Sequence, residues 1–145
     1  LDIFQVTDVD GNPKLPAWKQ KRVLARLDEV VSLRRKAKDL LDKYSTQWDR
    51  RKKAGGVRPP EVDFENRISD RYTVIDVTVH DSVGLLYEIT HSLGEMDLDI
   101  HMAIINTAAN RATDAFYVVD SHHQKILSLS VLEEIRDRLL ARLSA

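Results

Sequence analysis

Between Glu61 and Ala145 the spacing of apolar residues switches between two and about 3.6, and the order of those switches leaves few possible folds. Glu61–Asn66 is a short strand candidate with Val62 and Phe64 on one face. Tyr72–His80 is the clearest strand: Thr73, Ile75, Val77 and Val79 line one side, and Asp76, Thr78 and His80 the other. Asp81 and Ser82 are good N-cap residues for a helix whose apolar face is Leu86, Ile89, Leu93 and Met96. A strand over Leu98–Asn106, a turn over Thr107–Arg111 and a strand over Ala115–Val119 follow. The last helix starts at Ser130, where Ser130-Val131-Leu132-Glu133 has the form of a capping box. Its buried stripe is Val131, Ile135, Leu139 and Leu143, and Glu134 and Arg138 are spaced for an ion pair. The order β-β-α-β-β-α predicts an α+β sandwich of ferredoxin-like type, one antiparallel sheet with two helices on one face.

The first sixty residues read differently. Ile3, Phe4 and Val6 are strand formers, and Asp10-Gly11-Asn12-Pro13 supplies a turn. Ala17–Lys53 contains neither Gly nor Pro. Apolar or small residues recur at Val23, Leu27, Val30, Ala37, Leu41, Tyr44 and Trp48, interrupted at Arg34. That seam predicts one long N-terminal helix. About 30 residues of helix reach roughly 45 Å, so its outer half needs a second copy or a larger parent protein to pack against. Ala54-Gly55-Gly56 and Pro59-Pro60 end it as a short linker.

A shift of 112 residues superimposes the two ends of the chain. Asp2, Phe4, Val6 and Asp8 fall on Asp114, Phe116, Val118 and Asp120, and Leu15 falls on Leu127. Val23, Leu27 and Val31 fall on Ile135, Leu139 and Leu143. Strand, turn and helix repeat in order, so residues 1–31 read as the trailing strand and helix of a truncated first module. Residues 32–60 are then a basic helical extension and linker, and 61–145 a second module. The chain opens at Leu1 inside a strand, without Met, and is expected to be a piece of a larger protein.

Composition narrows the function classes. With 145 residues and no Cys, a disulfide scaffold, a thiolate metal site and a Cys nucleophile are excluded, and a reducing, cytoplasmic setting is expected. No run of about 20 apolar residues spans a bilayer, so no membrane role is expected. The net charge of −1 hides an asymmetry. Lys19–Arg58 holds fourteen Lys/Arg against five Asp/Glu, or +9, and the remainder carries −10. A basic stretch can attract nucleic acid or an acidic membrane surface, or form a solvated helix face.

Four segments resemble a known family. Ser69-Asp70-Arg71-Tyr72-Thr73-Val74-Ile75-Asp76-Val77-Thr78, then Asp81-Ser82-Val83-Gly84-Leu85-Leu86-Tyr87, then Leu98-Asp99-Ile100-His101, then Asp114-Ala115-Phe116-Tyr117-Val118-Val119-Asp120 resemble an ACT domain in order and spacing. They are most similar to the tandem C-terminal ACT modules of the bifunctional protein-PII uridylyltransferase/uridylyl-removing enzymes. Leu1-Asp2-Ile3-Phe4-Gln5-Val6-Thr7-Asp8 resembles the matching strand of the preceding module. The family loop usually reads Asp-Arg-Pro-Gly-Leu-Leu. Ser82 and Val83 stand here for Arg and Pro, and Val lacks the fixed φ of Pro, so the loop is less preorganised.

The resemblance implies a ligand site rather than a catalytic one. It places a free amino acid, glutamine, against Asp81, Ser82, Val83, Gly84 and Leu85, and against Ile100, His101, Met102 and Ala103 of a paired module or homodimer partner. Such a loop leads into a helix start, whose spare amides and dipole favour a carboxylate, and Gly84 leaves room for backbone approach. No catalytic residue, metal site or cofactor is expected in this stretch. The parent enzyme is implied to use Mg2+ and to act on the PII signalling protein.

Other signals are weaker. Asp8-Val9-Asp10-Gly11-Asn12 has its Gly too early for a calcium loop, and Lys19 stands where a bidentate Glu is needed. His122-His123 could bind a metal weakly, but adjacent His residues with no partner at ligand spacing read as exposed loop residues. His80, His91 and His101 share no catalytic spacing, although His101 could line the amino-acid site. Two alternatives to amino-acid sensing stand. One is a ligand-free oligomerisation module paired through the long helix. The other is a nucleic-acid binder, disfavoured by 6% aromatics and no RNA-recognition strand motif.

Overall fold

Alternation between Thr73 and His80 puts that strand, β2 (Thr73–His80), in the middle of a sheet with one face buried. The structure is a computed structural model that describes residues 11, 13–48 and 58–144, with the side chains of 43–48 outside that description. The predicted strand at Ile3, Phe4 and Val6, the Ala54-Gly55-Gly56 breaker and the helix end at Lys53 lie outside the described residues. Strands β1 (Glu61–Glu65), β3 (Asp99–Ile104), β4 (Thr107–Ala108) and β5 (Arg111–Val119) join β2 in the order β1-β2-β5-β3, with β4 paired to β5 and every pairing antiparallel. β1 pairs with β2, so it completes the sheet of its own module.

The register explains the core. Ile75 sits opposite both Phe64 and Phe116, and Val77 opposite Val62, which puts these side chains on one face. Helices α3 (Leu85–Glu95) and α4 (Leu129–Leu143) cover that face with Leu85, Ile89 and Leu93, and with Leu132, Ile135 and Leu139. Ile75 and Phe116 are wholly buried at its centre. The fold is the expected α+β ferredoxin-like sandwich.

Details of the helices differ from the sequence expectations. α3 begins at Leu85, with Gly84 rather than Asp81 or Ser82 as its N-cap and no side chain capping it. Ile89 and Leu93 are buried and Met96 packs against the core as expected, but Leu85 rather than Leu86 completes the buried face, and Leu86 is exposed. α4 starts at Leu129 after Ser128, and no capping box forms at Ser130. Its buried stripe runs through Leu132, while Val131 is exposed; the Glu134–Arg138 pair does form, at 2.7 Å. The expected turn at Thr107–Arg111 is a tight hairpin. Ala109 and Asn110 both have positive φ between the paired Ala108 and Arg111, so β5 starts four residues earlier than Ala115.

Contacts divide the chain into Leu1–Thr46 and Gln47–Ala145. In the first unit the single long helix is broken in two, α1 (Ala17–Val31) and α2 (Ala37–Trp48). The break lies where Arg34 interrupts the apolar seam. Leu33 takes φ +56° and its N–H returns to the Val30 carbonyl, a left-handed helix stop made without glycine. Arg34 pairs with Asp28, and Arg35 with Glu29, so charges that would line one continuous helix fold back on it. No residue of α1 is buried. The bounds of α1 and α4 differ by 112 at both ends, matching the sequence repeat. Among the described residues, no helix is long and apolar enough to cross a membrane.

Candidate functional site

The segment joining β2 to α3 is built around one glycine. Leu85 N–H bonds to the Ser82 carbonyl at 3.1 Å, closing a four-residue turn. Gly84, its third residue, has φ +87° and ψ −2°, the geometry that a type II turn requires there. A side chain at this φ is strained, so the bend depends on Gly84. The turn is also braced from outside: Asp81 N–H donates to the Asn110 carbonyl at the tip of the β4–β5 hairpin, 2.8 Å away. Val83 is exposed and Ser82 half-buried, and neither caps the helix. The start of α3 therefore offers amides and the positive end of its dipole without a side chain of its own competing for them.

Asp81 adds an exposed carboxylate at the same bend. Amide donors beside a carboxylate suit a zwitterion, whose carboxylate and ammonium need opposite partners. Behind the loop lies Asp114, 3% exposed and core-facing opposite Val77. Burial pushes its carboxyl above the usual range, against the effect of the Asn106 N–H that donates to it, and the Asp81 charge adds to the rise. The resemblance alone did not mark Asp114 as a site residue. Its signal was an acid at a core-facing register position.

The second group of expected site residues lies on β3, an edge of the sheet. Ile100 points to the helices and packs against the core. A register shift between Ile100 and Met102 makes a bulge at His101. His101 and Met102 are exposed, as is Ala103. His101 lies 3.3 Å from Asp99 and against Tyr72, with ring centroids 5.0 Å apart. The loop stands at one end of the sheet and β3 along its edge, with an unpaired strand side that a further module could approach.

Residues 61–145 match the sequence pattern of the ACR9-like, ACT-like domain family. Curated relatives carry the name bifunctional uridylyltransferase/uridylyl-removing enzyme. The protein from Azospirillum brasilense is 34% identical over 145 residues, covering 99% of this chain and 15% of the relative. That from Gluconobacter oxydans is 36% identical over 150 residues, covering 100% and 15%. That from Bradyrhizobium diazoefficiens is 49% identical over 61 residues, covering 42% and 7%. The chain thus spans 15% of the length of the first two relatives. No solved structure gives a significant match.

Proposed function

Because this chain belongs to the ACT-like domain family, in a form similar to uridylyltransferase/uridylyl-removing enzymes, we propose that it is the amino-acid-sensing region of such an enzyme. The ligand is glutamine, whose binding would report nitrogen status to catalytic domains outside this chain. The observation that carries the reading is the Gly84 bend, a left-handed residue opening α3 with no side-chain cap and with Asp81 alongside. The ligand would sit on Asp81, Ser82, Val83, Gly84 and Leu85 of one module and on His101, Met102 and Ala103 of another, with Ile100 behind that strand. The repeat supplies the other module: α1 corresponds to α4, yet its apolar face at Val23 and Leu27 is exposed. The first module's sheet would cover that face. By resemblance, the parent enzyme is cytoplasmic, uses Mg2+ and acts on PII.

Glutamine titration by calorimetry and thermal melting tests the proposal, on this chain and on a longer one with the preceding module restored. Millimolar glutamine should raise the melting temperature of the longer chain, and Gly84→Val should abolish the shift. An unmoved melting temperature in the intact tandem overturns the reading. A Gly84→Val protein that is merely less stable, with its glutamine shift intact, assigns the glycine to packing alone.

The exposed Met102, Ile104 and Ile105 beside the β3 edge favour a second reading, an oligomerisation module without ligand. Sedimentation showing a dimer that glutamine neither binds nor shifts would select it.

A further inference from the structure

We propose that Asp99, His101 and His123 form a surface binding site for a borderline divalent transition-metal ion, Zn2+ being the reference case. The three are exposed, and their ligand atoms lie within 4.8 Å of one another. Asp99 and His101 stand two residues apart on β3, and the bulge at His101 lets their side chains meet on the same side of the strand. His101 Nε2 is 3.3 Å from Asp99 Oδ2. Two bonds of about 2.05 Å at a tetrahedral angle separate their donor atoms by about 3.3 Å, so this pair already has the spacing of two ligands on one ion.

His123 reaches the pair from the turn between β5 and α4, and that turn is held firmly. Asp120 Oδ1 accepts the N–H groups of His122 and Gln124 at 2.9 Å each. His123 N–H donates to the Asp120 carbonyl, and Asp120 N–H to the Gln124 carbonyl, also at 2.9 Å. His123 itself adopts φ +57°, a conformation His enters only occasionally. On the other side the Tyr72 ring lies against His101 and restricts its rotation. A strand, a bulge and a braced turn thus aim three donors at one point, leaving only side-chain rotation to bring the third into bonding range.

The donor set selects the ion class. Two imidazoles and one carboxylate suit Zn2+, Ni2+ or Cu2+ and are poor for Mg2+ or Ca2+, which prefer oxygen. Exposure leaves the remaining positions to water, and the bound ion would pin the β5–α4 turn to the edge strand. The neighbouring His122 lies outside the cluster, near Ser121, and His91 pairs with Glu95. The site shares His101 with the proposed amino-acid site, but its three donors lie within one module and need no amino acid, so it goes beyond the proposed sensing function.

Calorimetric titration of the 145-residue chain with ZnCl2, in a non-chelating buffer free of amino acids, tests the site. One ion per chain with micromolar affinity is expected, with Cu2+ binding more tightly and its electron paramagnetic resonance spectrum showing coupling to imidazole nitrogen. His101→Ala and His123→Ala should each weaken binding at least tenfold, while His122→Ala keeps the affinity. Melting curves in EDTA establish that each variant is folded. Absence of stoichiometric binding overturns the site, as does equal loss from His122→Ala and His123→Ala. Gly84→Val should leave the Zn2+ titration unchanged, so failure of the glutamine reading and failure of this one are told apart.

Discussion

Val83 precedes Gly84 in the turn that opens α3, at the position where a type II turn favours proline. The turn keeps its shape although its sequence lacks the family's Pro, because Gly84 supplies the positive φ and the Asn110 carbonyl holds Asp81. Val83→Pro should stabilise the chain by about 0.5–1 kcal/mol in urea unfolding, since it restricts the unfolded chain at a site suited to Pro. A second residue-scale effect lies on the open face of the sheet. Asp76 is directly opposite Asp63 and near Glu65; burial first, then these two charges, pushes its carboxyl above the ordinary value of 3.8. The folded protein therefore holds a proton more tightly there than the unfolded one. Stability from this group is full below 3.8 and is lost as the pH rises through the raised folded value. Asp76→Asn should accordingly be more stable than the parent at pH 7 by about 0.5 kcal/mol, the scale of a cross-strand charge pair. That advantage should vanish as the pH falls below 3.8 in a pH series of urea melts.

Between elements, one end of the sheet is fastened by a small polar network that hydrophobic patterning did not reveal. Thr73, wholly buried, donates to Asn66 at 2.8 Å and accepts the Ile126 N–H at 2.9 Å. Asn66 in turn donates to the Ile126 carbonyl, and Lys125 bonds the Asn66 and Ser69 carbonyls. These contacts tie the β1–β2 loop to the segment entering α4. Thr73→Val keeps the volume but strands the Ile126 N–H, and should cost about 1–3 kcal/mol in urea unfolding. Arg136 on α4 works similarly from the helix side: it donates to the Val62 carbonyl at 2.9 Å and lies over the Phe64 ring. The alternation at Thr73 was legible as a core position. That its hydroxyl would be used there was not, because its partners lie 7 and 53 residues away.

Over the whole molecule, the two copies of the repeat, offset by 112 residues, differ in what covers them. α4 buries Leu132, Ile135 and Leu139 against the sheet, whereas α1 buries none of its residues. Hydrogen exchange should therefore find α1 among the least protected elements and β2 and β5 among the most. Restoring the first module proposed above should slow exchange along α1. If it does not, the helix serves another partner. The charge asymmetry read from the sequence, +9 against −10, stands alongside this division without requiring nucleic acid.

Periodicity along the chain determined which residues alternate and which recur at helical spacing, and from these the order of elements, the single-sided core and the repeat followed. Those are local properties, set by the geometry of a strand or a helix turn. The exact starts of α3 and α4, the break at Leu33 and the β4–β5 hairpin were decided by backbone bonds and positive φ values that side-chain type only weakly encodes. The candidate sites are a tertiary product as well. Asp81 meets Asn110 at one end of the sheet, and His123 joins Asp99 and His101 at the other, only because antiparallel pairing brings sequence-distant segments together at each end.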